Sequence, residues 1–176
     1  MVFSEDFHVG LGILEANDLT FDLLLRPDLL RHVSVLAEKF PRLKMVINHL
    51  AKPTKYGMPL EEWKEVVDKI ASTCPNVYMK LSGMINEPYT DPQNRGYATF
   101  RPFVHHALEA FGVDRCMFGS DWPLCKTVKP VVPKKYLDVV EFMEKQLEDL
   151  SEEAKRKIFQ DNAIDFYGLH NVVTKK

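Results

Sequence analysis

The chain has 176 residues, enough for one ordinary domain with a real core. Its 23 Lys+Arg against 25 Asp+Glu leave a net charge of −2, so no basic excess is present to neutralise the phosphates of a nucleic acid. Apolar residues at 45% and charged residues at 27% exclude a disordered chain, and no apolar run approaches the roughly 18 residues of a membrane span.

The segment MVFSEDFHVG carries two acids and no cationic stretch leading into an apolar one. No signal peptide is expected, and the expected location is cytoplasmic. The three cysteines, Cys74, Cys116 and Cys125, are odd in number and form no CxxC pair. They are read as free, buried thiols rather than as a disulfide framework or a zinc knuckle.

In chain order, Phe7–Ala16 reads as a helix with Leu11 and Leu14 inward. A first strand follows at Phe21–Leu25 (FDLLL). Pro27 suits a first helical position, and this helix runs to Phe40, where Pro41 stops it. A second strand is Lys44–Asn48 (KMVIN). Pro59 opens the next helix, with Glu61 and Glu62 in its first turn and Trp63, Val66, Val67 and Ile70 on one face. The third strand is Val77–Leu81 (VYMKL). Ser82–Ala98 is the longest irregular stretch, of a length often given to function. Thr99 is placed to cap a helix whose stripe is Phe103, Ala107, Leu108 and Phe111, with Gly112 as its stop. The fourth strand is Cys116–Gly119 (CMFG), and Tyr136–Leu150 and Ser151–Phe166 are two closing helices. The strands are nearly continuous in apolarity, which suits a parallel sheet covered on both faces. Four alternating strand–helix units predict an α/β fold with right-handed crossovers.

In such folds ligands bind beyond the carboxyl ends of the strands. The first polar residues there are Arg26, then His49 and Lys52, then Ser82, then Ser120-Asp121-Trp122. Hydrolysis fits this set. Asp121 can take a proton from water; His49 can polarise a carbonyl, ligate a metal or protonate a leaving group. Arg26 and Lys52 can hold an anionic group. Each also has a plain structural role: Asp121 as a turn cap, His49 as a hydrogen-bonded structural residue, Arg26 as a solvated cation. Lys80 lies within a strand and needs a carboxylate or water. His105 and His106 are neighbours on a helix, so they cannot face one site together.

Three segments, VINHLAKP (Val46–Pro53), KLSG (Lys80–Gly83) and MFGSDWP (Met117–Pro123), resemble the C-terminal half of the amidohydrolase-related family, closest to its lactone hydrolases. The terminal NAIDFYGL (Asn162–Leu169) agrees. The resemblance implies a (β/α)₈ TIM barrel, with the four strands as its fifth to eighth. It implies that Asp121 and His49 are catalytic, that Asp121 orients or deprotonates the attacking water, and that Trp122 either lines the pocket or packs in the core; the strand-end positions add Arg26, Lys52 and Ser82 to Trp122 as substrate-binding residues. If a divalent metal such as zinc is used, His49 and Asp121 are its ligands here. One His and one Asp are too few for a catalytic zinc, so tight metal binding is not expected.

The family's first-strand His-x-His has no counterpart among histidines 8, 32, 49, 105, 106 and 170. A full barrel takes about 250 residues. Residues 1–176 are therefore read as a single amidohydrolase-related domain, truncated by its first four βα units. Two functional readings stand: a hydrolase of a small sugar- or carboxylate-derived lactone, and a non-catalytic half-barrel serving as an interaction or regulatory form. The first takes a small-molecule substrate, and neither involves nucleic acid or a membrane. The unpaired sheet edges of a half-barrel predict a homodimer.

Overall fold

Four short parallel strands carry the fold: β1 (Phe21–Leu23), β2 (Met45–Ile47), β3 (Val77–Leu81) and β4 (Cys116–Phe118). The structure is a computed structural model and describes residues 4–84, 97–126 and 136–173. The strands stand side by side in chain order, β1-β2-β3-β4. Asp22 pairs with Val46 and Val46 with Tyr78, while Met79 pairs with Cys116 and Lys80 with Met117. All four carboxyl ends therefore open towards one rim.

The expected elements are present, with adjusted ends. Helix α1 (Glu5–Ala16) starts two residues early because the Ser4 hydroxyl accepts the Phe7 N–H. The helix expected over Pro27–Phe40 divides into a 3₁₀ turn, Pro27–His32, and α2 (Val33–Lys39). A short α3 (Pro53–Tyr56) precedes α4 (Leu60–Thr73), for which Pro59 is the N-cap rather than the first helical residue. Thr99 does not cap α5: that helix runs Tyr97–Phe111, so Thr99 lies inside it, and Gly112 ends it at a φ of +74°. The remaining helices are α6 (Tyr136–Gln146), α7 (Glu152–Arg156), α8 (Asn162–Tyr167) and α9 (His170–Val173). A π turn at Lys157–Asp161 joins α7 to α8, so the last expected helix is one run with a bulge in it. Of the expected Ser82–Ala98 loop, Tyr97 and Ala98 are helical and residues 85–96 lie outside the described part.

The two sheet faces have different cover. The outer face gives Leu23, Met45, Ile47, Val77, Met79, Leu81 and Cys116 to the main core beneath the helices. From α4 this core takes Trp63, Val67, Ile70 and Ala71, and from α5 Phe100, Phe103, Val104, Ala107 and Phe111. On the inner face, Val46 and Met117 pack against Phe166, with Tyr78, Ala163 and Tyr167 around them. The last helical run thus lies over the inner face of the sheet. Strand β2 is buried on both sides, as its unbroken apolarity predicts, whereas β3 alternates, with Tyr78 and Lys80 half-buried.

All three cysteines are free and buried. Burial pushes the Cys116 thiol up to about 12, which keeps it protonated and unreactive. The inner-face cover is pinned by Asn162, whose buried amide donates to the carbonyls of Val113 and Cys116, both at 2.7 Å. Replacing Asn162 by Ala strands those two acceptors. Urea denaturation should show a loss of about 2 kcal/mol, the usual cost of buried unsatisfied carbonyls; a change within 0.5 kcal/mol (roughly the scatter of neutral substitutions) would reject this pinning role.

Candidate functional site

The chain leaves β2 through an unusual turn. His49, Leu50, Ala51 and Lys52 have φ of +58°, +53°, +61° and +56°, a complete left-handed turn without a glycine. Each such residue costs about 1–2 kcal/mol, so the surrounding structure must hold the turn in place. Leu50 and Ala51 are fully buried. The Lys52 N–H closes on the His49 carbonyl at 2.8 Å. The indole N–H of Trp63 donates to the Leu50 carbonyl at 2.8 Å.

The turn presents the His49 ring to the ends of β3 and β4. Its Nδ1 lies 2.7 Å from Ser82 Oγ, a hydrogen bond whose donor depends on the tautomer. The ring rests against Gly83, where a Cβ would come within 2.6 Å of Cγ and Nδ1. Gly83 also has a φ of +73°, so glycine is required there on two grounds. On the ring's far side, Nε2 is 3.6 Å from Asp121 Oδ1. That spacing is an ion-pair distance, too long for a good hydrogen bond. Asp121 itself has a φ of +55°, in a bend where the Trp122 N–H donates to Ser120 Oγ and the Cys125 N–H to the Asp121 carbonyl.

Burial is the main influence on His49 and holds its pKa below the ordinary value. Asp121 opposes this, Lys52 and then Lys80 add to it, and Asp22 opposes it weakly. The imidazole is thus neutral at pH 7, as a base or a hydrogen-bond partner requires.

Lys80 finds the carboxylate that its place in a strand requires in Asp22, with Tyr167 as a second partner that sequence does not point to. On the inner face, Lys80 Nζ lies 2.6 Å from Asp22 Oδ2 and donates to Tyr167 Oη at 2.8 Å. Tyr167 in turn donates to Asp22 Oδ1 at 2.8 Å, and burial and that carboxylate push its pKa up. Asn48 Nδ2 reaches Asp22 at 3.4 Å, and its Oδ1 is buried without a partner among the described residues. Gly119 makes room for this arrangement, since a Cβ would sit 3.0 Å from the Ser82 Cβ and 3.2 Å from the Lys80 Cδ. The available signal was parity: Asp22 and Lys80 share the inward phase with Val46 and Met117.

The expected site residues divide accordingly. His49, Ser82 and Asp121 meet directly. Lys52 belongs to the same turn and acts on His49 through its charge. Trp122 follows Asp121 and is 52% exposed, so it is not a core residue. Arg26 turns away: it pairs with Asp28 at 3.1 Å and lies over the Tyr56 ring at 5.0 Å. His105 and His106 do diverge, to the Gln146 carbonyl and to Asp68 respectively.

A catalytic zinc takes three protein ligands. Among the described residues no group of three His, Cys, Asp or Glu could hold a metal ion, and His49 and Asp121 supply two donors. The donor set among the described residues does not make a zinc site by itself.

The family model described as Amidohydrolase matches residues 3–169. The chain is 36% identical over 111 residues to an L-fucono-1,5-lactonase of Burkholderia ambifaria, covering 63% of this chain and 37% of that protein. It is 32% identical over 144 residues to an L-rhamnono-gamma-lactonase of Scheffersomyces stipitis, covering 75% of this chain and 43% of that protein. The chain therefore spans less than half the length of these two relatives. An amidohydrolase of Burkholderia multivorans, crystallised with bound zinc, superposes with a TM-score of 0.81 at 28% identity, over 95% of this chain and 58% of that one. The four parallel strands and their helices are thus part of a larger barrel in that relative, and the chain belongs to the amidohydrolase family, in its lactonase-like branch.

Proposed function

We propose that this site hydrolyses a small sugar- or carboxylate-derived lactone. The observation that carries the reading is the His49–Asp121 pair, set at the carboxyl ends of β2 and β4 with a 3.6 Å gap between Nε2 and Oδ1. The lactonases among the relatives support the substrate class.

In this reading the Asp121 carboxylate accepts a proton from a water molecule. The oxygen of that water attacks the ring carbonyl carbon. The tetrahedral oxyanion collapses, the ring C–O bond breaks, and the alkoxide leaving group takes up the proton to give a hydroxy acid. Neutral His49, steadied by Ser82, orients the water or the carbonyl at Nε2. Lys52 faces the new carboxylate. Trp122 offers its exposed ring to the sugar face. Arg26, held by Asp28 and Tyr56, serves at most the outer rim.

A second reading, a non-catalytic half-barrel that binds a partner, is favoured by one observation. Among the described residues, β1 and β4 are the outer strands of the sheet. We infer that a second copy covers the β1 edge, where Leu24 is exposed just after the strand and Val9 and Ile13 are exposed on the preceding helix. Sedimentation at micromolar concentration should show a dimer, and a stable monomer rules this out.

A panel of sugar lactones followed by acid release tests the enzymatic reading. Asp121→Asn should reduce turnover about 10²–10⁴-fold, the usual share of a general base, with an unchanged melting temperature. Unchanged turnover in that variant refutes the role of Asp121.

The pH dependence follows from His49. Its folded pKa lies below the unfolded value of 6.5, so its contribution to stability is fully present above pH 6.5. That contribution is lost as the pH falls below 6.5 and through the folded pKa. An NMR titration of the His49 ring should therefore have its midpoint below 6.5; a midpoint above it would show that Asp121 outweighs burial.

A further inference from the structure

We infer that Trp63, remote from the reacting groups, is a positioning residue for His49. The inference rests on the hydrolytic reading of His49 given above and extends it to a side chain with no place at the rim. Trp63 is fully buried on α4. An indole has one hydrogen-bond donor, and this one is given to the Leu50 carbonyl at 2.8 Å, one residue beyond His49.

That carbonyl belongs to the middle of the left-handed turn. No glycine eases the turn, and its conformation persists only while its surroundings over-determine it. Two anchors are visible. One is the burial of Leu50 and Ala51 in the core. The other is the Trp63 N–H, the directional contact that fixes how the Leu50 peptide is rotated. That peptide spans the Leu50 and Ala51 Cα atoms, so rotating it changes ψ of Leu50 and φ of Ala51 and disturbs the left-handed turn that begins at His49. The ring beyond has little tolerance, because it is confined between the Gly83 backbone and the Ser82 hydroxyl.

Trp63 is itself steadied from behind. The Phe103 ring meets it edge-on at 5.2 Å, and His106, hydrogen-bonded to Asp68 at 2.7 Å, meets it at 6.0 Å. Helix α4 and helix α5 thus set the indole, the indole sets the turn, and the turn sets both His49 and Lys52.

The test separates positioning from bulk stability. Trp63→Phe removes the N–H and part of the ring. A β-(3-benzothienyl)alanine at position 63 replaces the N–H by sulfur and keeps the volume. Phe111→Leu disturbs the same core at the far end of α5. Two quantities are read: the His49 ring resonances by ¹⁵N–¹H NMR, and kcat and KM on a sugar lactone. Both position-63 variants should shift or broaden the His49 resonances and lower kcat about 10- to 100-fold, with KM within about twofold, as misplacement of a catalytic group by an ångström does. Phe111→Leu should lower the melting temperature and leave the His49 resonances as in the parent. Parental His49 resonances in the benzothienyl protein overturn the inference, and so does an equal shift in Phe111→Leu. If Trp63→Phe does not fold, the benzothienyl protein, which leaves no cavity, decides alone. If the parent chain turns over no lactone, the hydrolytic reading fails, while the resonances still decide what holds His49.

Discussion

A lysine ammonium on the inner face of the sheet must find partners, and much of this molecule is arranged around supplying them. Lys80 projects inward from β3 with only 15% of its side chain exposed. Left alone there it would be costly. Asp22 from β1 and Tyr167 from α8 close on it, so one cation links strands that are not neighbours and draws the last helical run across the inner face. That run brings Phe166 onto Val46 and Met117, which otherwise face outward from an open sheet. The Lys80 stem also passes beside Gly119 and Ser82, so the ion pair and the His49 support share one narrow space. Removing either charge would leave the other uncompensated in that space, which is why such pairs are far more costly to break than they are stabilising to form.

Strain at the rim and satisfaction beneath it complement each other. The left-handed turn after β2 and the positive φ at Asp121 are local costs, and each includes one of the two residues, His49 and Asp121, that face each other across the gap. Beneath them every strand is tied: β1 and β3 through Lys80, β4 through the Asn162 amide on the Cys116 carbonyl, β2 through burial on both sides. A rigid floor permits a strained rim. Strain of this kind usually marks a place where geometry has been held against local preference for a purpose.

The sequence reveals the strands and the rim readily, and other features not at all. Apolar runs at Val77–Leu81 and Lys44–Asn48 place their strands within a residue, because a buried parallel strand needs continuous apolarity. The residues after them follow directly, and His49, Ser82 and Asp121 do meet. Arg26 stands apart from that group because β1 ends at Leu23, earlier than FDLLL suggests, and a nearby Asp28 and Tyr56 compete for its guanidinium. The left-handed turn leaves no trace in NHLAK, which lacks the glycine that normally signals positive φ. Thr99 looks like a cap, yet the helix starts at Tyr97, whose hydroxyl bonds to the end of α6 at the Lys145 carbonyl and Glu148. A tertiary contact there outweighs a local preference. The π turn at Lys157–Asp161 is equally silent in sequence, since the apolar stripe runs through it.

The charge arrangement connects the near-neutral chain to the proposed reaction. A net charge of −2 over the whole surface neither gathers nor repels a small neutral lactone at long range. Close to His49 the balance differs: Lys52 and Lys80 supply positive potential, and Asp121 and Asp22 supply negative potential. Asp22 is engaged by Lys80 and Tyr167, whereas Lys52 is the last residue of the left-handed turn. A neutral substrate entering this rim gains little from the field. In the proposed reaction an oxyanion and then a carboxylate form beside His49, where Lys52 and Lys80 supply positive potential, so these species gain more. An interaction that strengthens as the reaction proceeds lowers the barrier, whereas one felt equally by the substrate tightens binding alone. The left-handed turn is what places this cation beside His49, so the same four strained residues set both the orientation of the imidazole and the field in which it works.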